Sequence, residues 1–397
     1  MERALALARD TEGLASPNPQ VGCVIAKPTG DSDDTFLKVV GEGAHRYAER
    51  DHAEIVALKQ AAAFGHDVHG ATAYVTLEPC SHHGRTGPCA DALVASGIGR
   101  CVVATADPNP LVSGRGITRL RDAGVEVSVG VCEAEARALN LPFAQSIQHQ
   151  RPLVTLKAAV SIDGYLAPPP GQRTRAEPFW LTGPEAGAEV HRLRHASDAI
   201  LTGIGTVLAD DPLLTDRSGL PRRRPLWRLV LDPQLRTPRS SQLICSAAEQ
   251  ATAGQKNLLL LCAETAPREH ERALLAAAGE NVEILRVPAS PTGRLNLPAV
   301  VALLGERQCL SLLLETGSAL NSAFLHEDLV DRVVLFFSEM ELGQNSVPFA
   351  TGGPSPFLLQ QRLRQTTTIS VGTSAMVTGL LHDPWPAIPI SCPDHLP

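Results

Sequence analysis

The chain has 397 residues, 44% hydrophobic and 19% charged, with aromatic residues at 4% and a formal net charge of −7. That length favours two domains over one core. The negative balance and scarce aromatics exclude a cationic, base-stacking nucleic-acid surface, and no run of about eighteen apolar residues offers a membrane span.

In chain order, "MERALALARD" reads as an amphipathic helix without the apolar core of a signal peptide. "VGCVIA" then reads as a strand, followed by an early hairpin interrupted by the loop-like insertion 27–38. Helix "HAEIVALKQAAAF", strand "ATAYVTL", helix "CADALVASG" ending at Gly97, strand "RCVVATA", helix "GITRLRDAG" and strand "VEVSVG" follow. Such alternation predicts an α/β layer with a largely parallel sheet. The pattern breaks at Leu139–Pro152. A second α/β series begins there, with strands "LVTLKAAV", "DAILTG", "WRLVLD", "NLLLLC", "LSLLLE" and "DRVVLFFS". We therefore expect domains over 1–146 and 151–383, with 384–397 a loose Pro-rich tail. The basic cluster Pro221–Pro225 reads as a solvated loop. Nine cysteines, mostly single within apolar runs, predict reduced thiols and a cytoplasmic setting.

Chemistry concentrates in the first half. "DHAE" puts His52 and Glu54 at a helix start, where Asp51 and Glu54 could equally form a capping box. "TLEPCSHHGRTGPC" adds Cys80 and Cys89. With His52 they supply three nitrogen and sulfur ligands, the number a catalytic zinc keeps beside an open position. A closed structural site completed by His82 or His83 is the alternative. A glutamate two residues after a histidine ligand, then Pro-Cys and another Cys, is also the arrangement of zinc deaminases, although their cysteines are spaced C-x-x-C and here eight residues intervene.

Four segments, "SPNPQVGCVIA", "DHAE", "TLEPCSHHGRTGPC" and "ATADPNPLVSGRGI", closely resemble the deaminase half of the bifunctional riboflavin-biosynthesis deaminase/reductase family. The resemblance implies a cytidine-deaminase-like three-layer α/β domain with one zinc per chain on His52, Cys80 and Cys89. Glu54 would carry a proton from water to the departing amine of 2,5-diamino-6-ribosylamino-4-pyrimidinone 5′-phosphate. Asn18, His45, His82 and Arg85 would contact that substrate.

Taken alone, "LTGIGTVLADDPLLT" is uninformative, because Leu208 stands where a dinucleotide fingerprint needs its third glycine. The resemblance continues, however, through "RPLVTLKAAVSIDGYLA", "FWLTGPEA", "VHRLRHASDAILTGIGTVLADDPLLT" and "LLLETGSALNSAFL". It implies a dihydrofolate-reductase-like α/β domain that uses NADPH to reduce the ribosyl chain to ribityl. Ala159, Trp180, Thr206, Asp210 and Gly317 would contact NADPH, and Lys157, Arg194, Leu214, Arg217 and Glu315 the substrate. Three departures stand out: Thr316 where glycine or alanine is usual, Pro178 where a polar residue is usual, and "SEMELG" after the late strand. They raise the alternative of an active deaminase carrying a degenerate, non-catalytic reductase domain. The expected partner is a small phosphorylated pyrimidine, with no nucleic acid or membrane, and a homo-oligomer is expected.

Overall fold

The structure is a computed structural model describing residues 1–29, 37–82, 87–169, 172, 179–249, 256–278 and 281–386. Arg85, Pro178, His83, most of the 27–38 insertion and the tail beyond residue 386 lie outside the described residues. Contacts divide the chain into two units. The first holds Met1–His149; the second holds Gln150–Leu220 and Arg224–Asp383. The described head of the tail groups with the first unit, where Trp385 is buried and its indole N–H donates to the Arg137 carbonyl at 3.0 Å.

The first unit runs α1 (Glu2–Arg9), β1 (Gly22–Pro28), β2 (Leu37–Ala44), α2 (Ala53–Ala63), β3 (Thr72–Val75), α3 (Cys89–Ala95), β4 (Arg100–Val103), α4 (Arg115–Asp122), β5 (Glu126–Val129), α5 (Glu133–Leu139) and α6 (Leu141–His149). Its sheet has the order β2-β1-β3-β4-β5. β1 pairs antiparallel with both β2 and β3, so the parallel ladder the alternation implied is confined to β3, β4 and β5.

Glycines set how closely helices approach this sheet. A Cβ on Gly22 would overlap the Ala4 carbonyl of α1, and one on Gly41 or Gly43 would overlap the Ala57 or Ala53 carbonyl of α2. Gly22 pairs with Ala44 and Cys23 with Gly43. Because side chains alternate along a strand, α1 and α2 therefore cover opposite faces, which makes the three layers. The same close packing presses the start of α2 onto the sheet.

The second unit runs β6 (Leu153–Val160), β7 (Tyr165–Ala167), α7 (Pro184–His195), β8 (Ala199–Gly203), α8 (Ile204–Asp210), β9 (Trp227–Leu231), α9 (Gln242–Glu249), β10 (Leu258–Ala263) and α10 (Arg268–Ala278). It continues with β11 (Val282–Val287), α11 (Leu297–Glu306), β12 (Ser311–Leu314), α12 (Ser318–His326), β13 (Arg332–Phe337), β14 (Val347–Pro348), α13 (Pro356–Gln361), β15 (Arg364–Val371) and β16 (Ser374–Leu380). The nine-stranded sheet has the order β11-β10-β9-β8-β12-β6-β13-β16-β15 and is parallel from β11 to β13. β8 and β12 are buried throughout, as expected of strands covered on both faces. The chain winds one way from β8 to β11 and returns to enter β12 between β8 and β6. Such a reversal opens a crevice at the strand carboxyl ends, where open α/β sheets bind ligands.

Candidate active site

In the first unit, α2 begins at Ala53 with His52 as its N-cap residue and no side-chain cap. The capping-box alternative is not what forms. The Asp51 carboxylate instead accepts from Lys59 at 2.6 Å, and Glu54 is buried at 3% exposure. His52 Nδ1 lies 3.5 Å from Cys80 Sγ and 3.3 Å from Cys89 Sγ. A tetrahedral zinc about 2.3 Å from sulfur and 2.0 Å from nitrogen would separate the two atoms by about 3.5 Å. The donor set therefore fits the ion in chemistry and in spacing. Cys89 opens α3, and its backbone N–H donates to Cys80 Sγ at 3.3 Å. That hydrogen-bonding favours the thiolate a metal requires.

The two thiols polarise each other. Hydrogen bonding from Cys89 pulls the Cys80 thiol well below the usual range, against burial. The bond to Cys80, burial and the Glu54 charge push Cys89 up. A divalent cation between them would remove the cost of the second thiolate. Burial also raises the Glu54 carboxyl to about 7. Among the described residues the ligand group consists of His52, Cys80 and Cys89; His82 is exposed and stands outside it. A fourth protein ligand from His82 is therefore not found.

His45 and Asn18 are brought together beside this group. His45 Nδ1 lies 2.7 Å from the Asp51 carbonyl, which can only accept, so this nitrogen carries the proton. Nε2 is then an acceptor, and it receives the Asn18 Nδ2 amide at 2.9 Å. Both ring nitrogens are committed, and the Asn18 amide is turned so that its Oδ1 faces away from His45. Burial lowers the His45 pKa, which keeps this neutral tautomer. Glu78, conspicuous in the motif, accepts from the backbone N–H groups of Asp107, Gly114, Gly116 and Ile117 at 2.8–3.3 Å. It anchors the α4 N-terminus, with both carboxylate oxygens committed to amides.

In the second unit, a cavity of about 450 Å³ gathers Ala159, Thr206, Asp210 and Gly317 with Lys157 and Glu315. Gly203 and Gly317 are the N-cap residues of α8 and α12, so the amides of two helix starts open on the cavity. Such ends attract phosphate. A second cavity, about 1220 Å³, is lined by Trp180, Arg194 and Arg217 and shares Lys157, Ala159 and Glu315 with the first.

Arg194 holds Glu315 through paired bonds of 2.6 and 2.9 Å and donates to the Thr215 carbonyl at 2.9 Å. Lys157 Nζ is 4.0 Å from Glu315. Burial would raise the Glu315 carboxyl, yet Lys157 and Arg194 hold it below the usual range, while burial lowers Lys157. Leu214 lines neither cavity. Its side chain packs in the core at 3% exposure, and its φ is 52°, in the left-handed region.

Two of the three departures from the family pattern are accommodated; the third, Pro178, lies outside the described residues. Thr316 does not adopt positive φ, and Gly317 has φ −85°, so neither position uses glycine's freedom. The "SEMELG" run is tied down where the Leu342 and Gly343 amides donate to Asp163 at 3.2 and 2.7 Å.

Fold and sites together define a zinc-deaminase unit joined to a nucleotide-dependent reductase unit. Residues 1–105 match the cytidine and deoxycytidylate deaminase zinc-binding region, and 152–375 the RibD C-terminal domain. The chain is 40% identical to the riboflavin biosynthesis protein RibD of Aquifex aeolicus, over 87% of either chain. It also resembles the RibD structure of Acinetobacter baumannii, with TM-score 0.75, 34% identity and coverage of 96% of this chain and 97% of that one. A diaminohydroxyphosphoribosylaminopyrimidine deaminase/5-amino-6-(5-phosphoribosylamino)uracil reductase from Thermotoga maritima gives TM-score 0.76 and 32% identity, covering 95% and 96%. The chain belongs to the RibD family of riboflavin biosynthesis enzymes. It is a bifunctional enzyme, a zinc-dependent deaminase followed by a dihydrofolate-reductase-like, NADPH-dependent reductase. No described helix is long and apolar enough to cross a membrane.

Proposed function

We propose that the first unit deaminates the phosphorylated diaminopyrimidine named for the Thermotoga relative, and that the second reduces the ribosyl chain of the product. The observation that carries the reading is buried Glu54, beside a ligand group that has three members among the described residues, the number that leaves a zinc its open position. Zinc held by His52, Cys80 and Cys89 supplies a Lewis acid that makes water nucleophilic at neutral pH. Glu54, raised to about 7 by burial, can take a proton and return it under the same conditions. It removes one proton from the attacking water and delivers one to the amine, which leaves as ammonia while the ring carbon gains oxygen. Asn18 offers its carbonyl to a ring N–H or amino group, with His45 fixing the amide from behind. His82 and Arg85 are assigned to the same substrate.

In the second unit NADPH supplies the hydride. Ala159, Thr206, Asp210 and Gly317 hold the cofactor in the smaller cavity, with Trp180 at the mouth of the larger one. Lys157 and Glu315 line both cavities, which supports a role for them between hydride donor and acceptor. Burial lowers the Lys157 pKa, which favours its giving up a proton. Arg194 and Arg217 serve the substrate. We place the enzyme in the cytoplasm as a homo-oligomer, a setting in which free thiols such as Cys23 and Cys262 persist.

A coupled assay on the full chain tests the reading, with ammonia release and NADPH oxidation followed separately and zinc quantified. Glu54→Gln should lower deamination by about 100- to 10,000-fold, with one zinc retained and reduction of the deaminated substrate unchanged. Deamination that survives this change with metal bound would remove Glu54 from the mechanism. Absence of NADPH oxidation with deaminated substrate would favour the degenerate-reductase alternative.

A further inference from the structure

Three residues on one face of α7 each hold one of three successive residues in the irregular segment after α8. His191, Arg194 and His195 are spaced i, i+3 and i+4. Arg194 donates to the Thr215 carbonyl at 2.9 Å. His195 Nδ1 meets Asp216 Oδ2 at 3.0 Å, and this pair is nearly enclosed, with side-chain exposures of 2% and 7%. His191 Nδ1 accepts the Arg217 backbone N–H at 3.3 Å. The other Asp216 oxygen receives the Ser218 N–H at 2.9 Å, closing a turn around Arg217.

Sequence and resemblance single out Arg194 and Arg217, but not the buried pair between them. The segment has no regular structure of its own, and Leu214 just before it is in the left-handed region. Its shape therefore comes from α7. Because a carboxylate can only accept, His195 donates from Nδ1, and Asp216 is fixed by donors on both sides. Arg217 is the next residue and lines the larger cavity with His191 and Arg194, giving that end a concentration of nitrogen donors. An arginine serves phosphate best when its backbone is already in place, since binding then costs less ordering.

We propose that His195 is a positioning residue of the reductase: through Asp216 it holds Arg217 in the cavity as a contact for the substrate's phosphate. The proposal rests on reading the larger cavity as the site of a phosphorylated substrate.

The test uses the full chain loaded with zinc and NADPH. KM and kcat of the reductase are measured for the phosphorylated substrate, NADPH affinity by fluorescence, and deamination in the same preparation. His195→Leu removes the Nδ1–H donor to Asp216 Oδ2 and should raise KM about 10-fold or more, with kcat, NADPH affinity and deamination within about 3-fold of wild type. His195→Asn offers an amide N–H in place of Nδ1 and should recover most of the loss. Arg217→Ala should raise KM, and adding His195→Leu to it should cost nothing further, because residues acting through one another are not additive.

A wild-type KM in His195→Leu, an additive loss in the double variant, no rescue by Asn, or an equal fall in NADPH affinity would each overturn the proposal. A wild-type KM in Arg217→Ala would remove the phosphate reading itself, and the proposal with it. The two failures are thus told apart by which single variant is silent.

Discussion

Replacing Glu78 by glutamine distinguishes an anchoring carboxylate from a catalytic one. Oε1 accepts from Gly116 and Ile117 at 2.8 and 3.3 Å, and Oε2 from Gly114 and Asp107 at 2.9 and 3.2 Å. Glutamine keeps one oxygen and sets an NH₂ group where two amide donors converge. Two buried N–H groups then lose their acceptor, at about 1–3 kcal/mol each. The negative charge at the start of α4 is lost as well, worth roughly 0.3–1 kcal/mol. The sum is about 4 kcal/mol, a large share of the 5–15 kcal/mol that holds a typical domain together. For a unit of this size it corresponds to a drop of about 8–16 °C in Tm. Differential scanning calorimetry of the full chain should show the deaminase transition moving down by that amount while the NADPH-stabilised transition stays. If Tm is unchanged and kcat collapses, Glu78 acts on substrate and the anchoring argument is wrong.

Chelation should remove zinc and deamination together while NADPH oxidation with deaminated substrate continues, followed by metal content against both rates. Glu315→Gln removes the carboxylate that takes paired bonds from Arg194 in a buried site and should destabilise the second unit by up to about 3–5 kcal/mol at pH 7. The Glu315 carboxyl is depressed in the folded protein. Its contribution is therefore full above the unfolded value of about 4.3 and is lost as pH falls through the folded one. Urea unfolding should show the gap between wild type and variant narrowing below about pH 5, and a constant gap down to pH 3 would contradict the pairing. Gly43→Ala places a methyl against the Ala53 carbonyl and should lower both Tm and deaminase kcat by lifting α2 off the sheet. A variant with wild-type kcat would show that the close approach does not position Glu54.

The metal group was legible because its parts sit at element boundaries that the sequence marks clearly. His52 precedes a helix, Cys80 follows a strand and Cys89 opens a helix. The capping box was a fair local alternative, yet Asp51 turned to Lys59, a partner that pattern alone does not choose. Resemblance names residues, but not which of their atoms face a ligand. Leu214 lines neither cavity and keeps its side chain in the core, and His45 has no ring nitrogen left for a ligand. β15 escaped notice because "RQTTTISV" is exposed along nearly its whole length and shows no apolar alternation. The His195–Asp216 pair joins a helix to an irregular segment 21 residues on, a contact with no local signature.

Each set of working groups is drawn from a single unit. The zinc ligands and Glu54 fall between residues 52 and 89, and the Lys157–Glu315–Arg194 cluster lies wholly in the second unit. On the proposed assignments a lesion in one set should leave the other chemistry whole. In genetic terms they make two complementation groups in one reading frame: a copy altered at Glu54 and a copy altered at Arg217 should together supply both reactions.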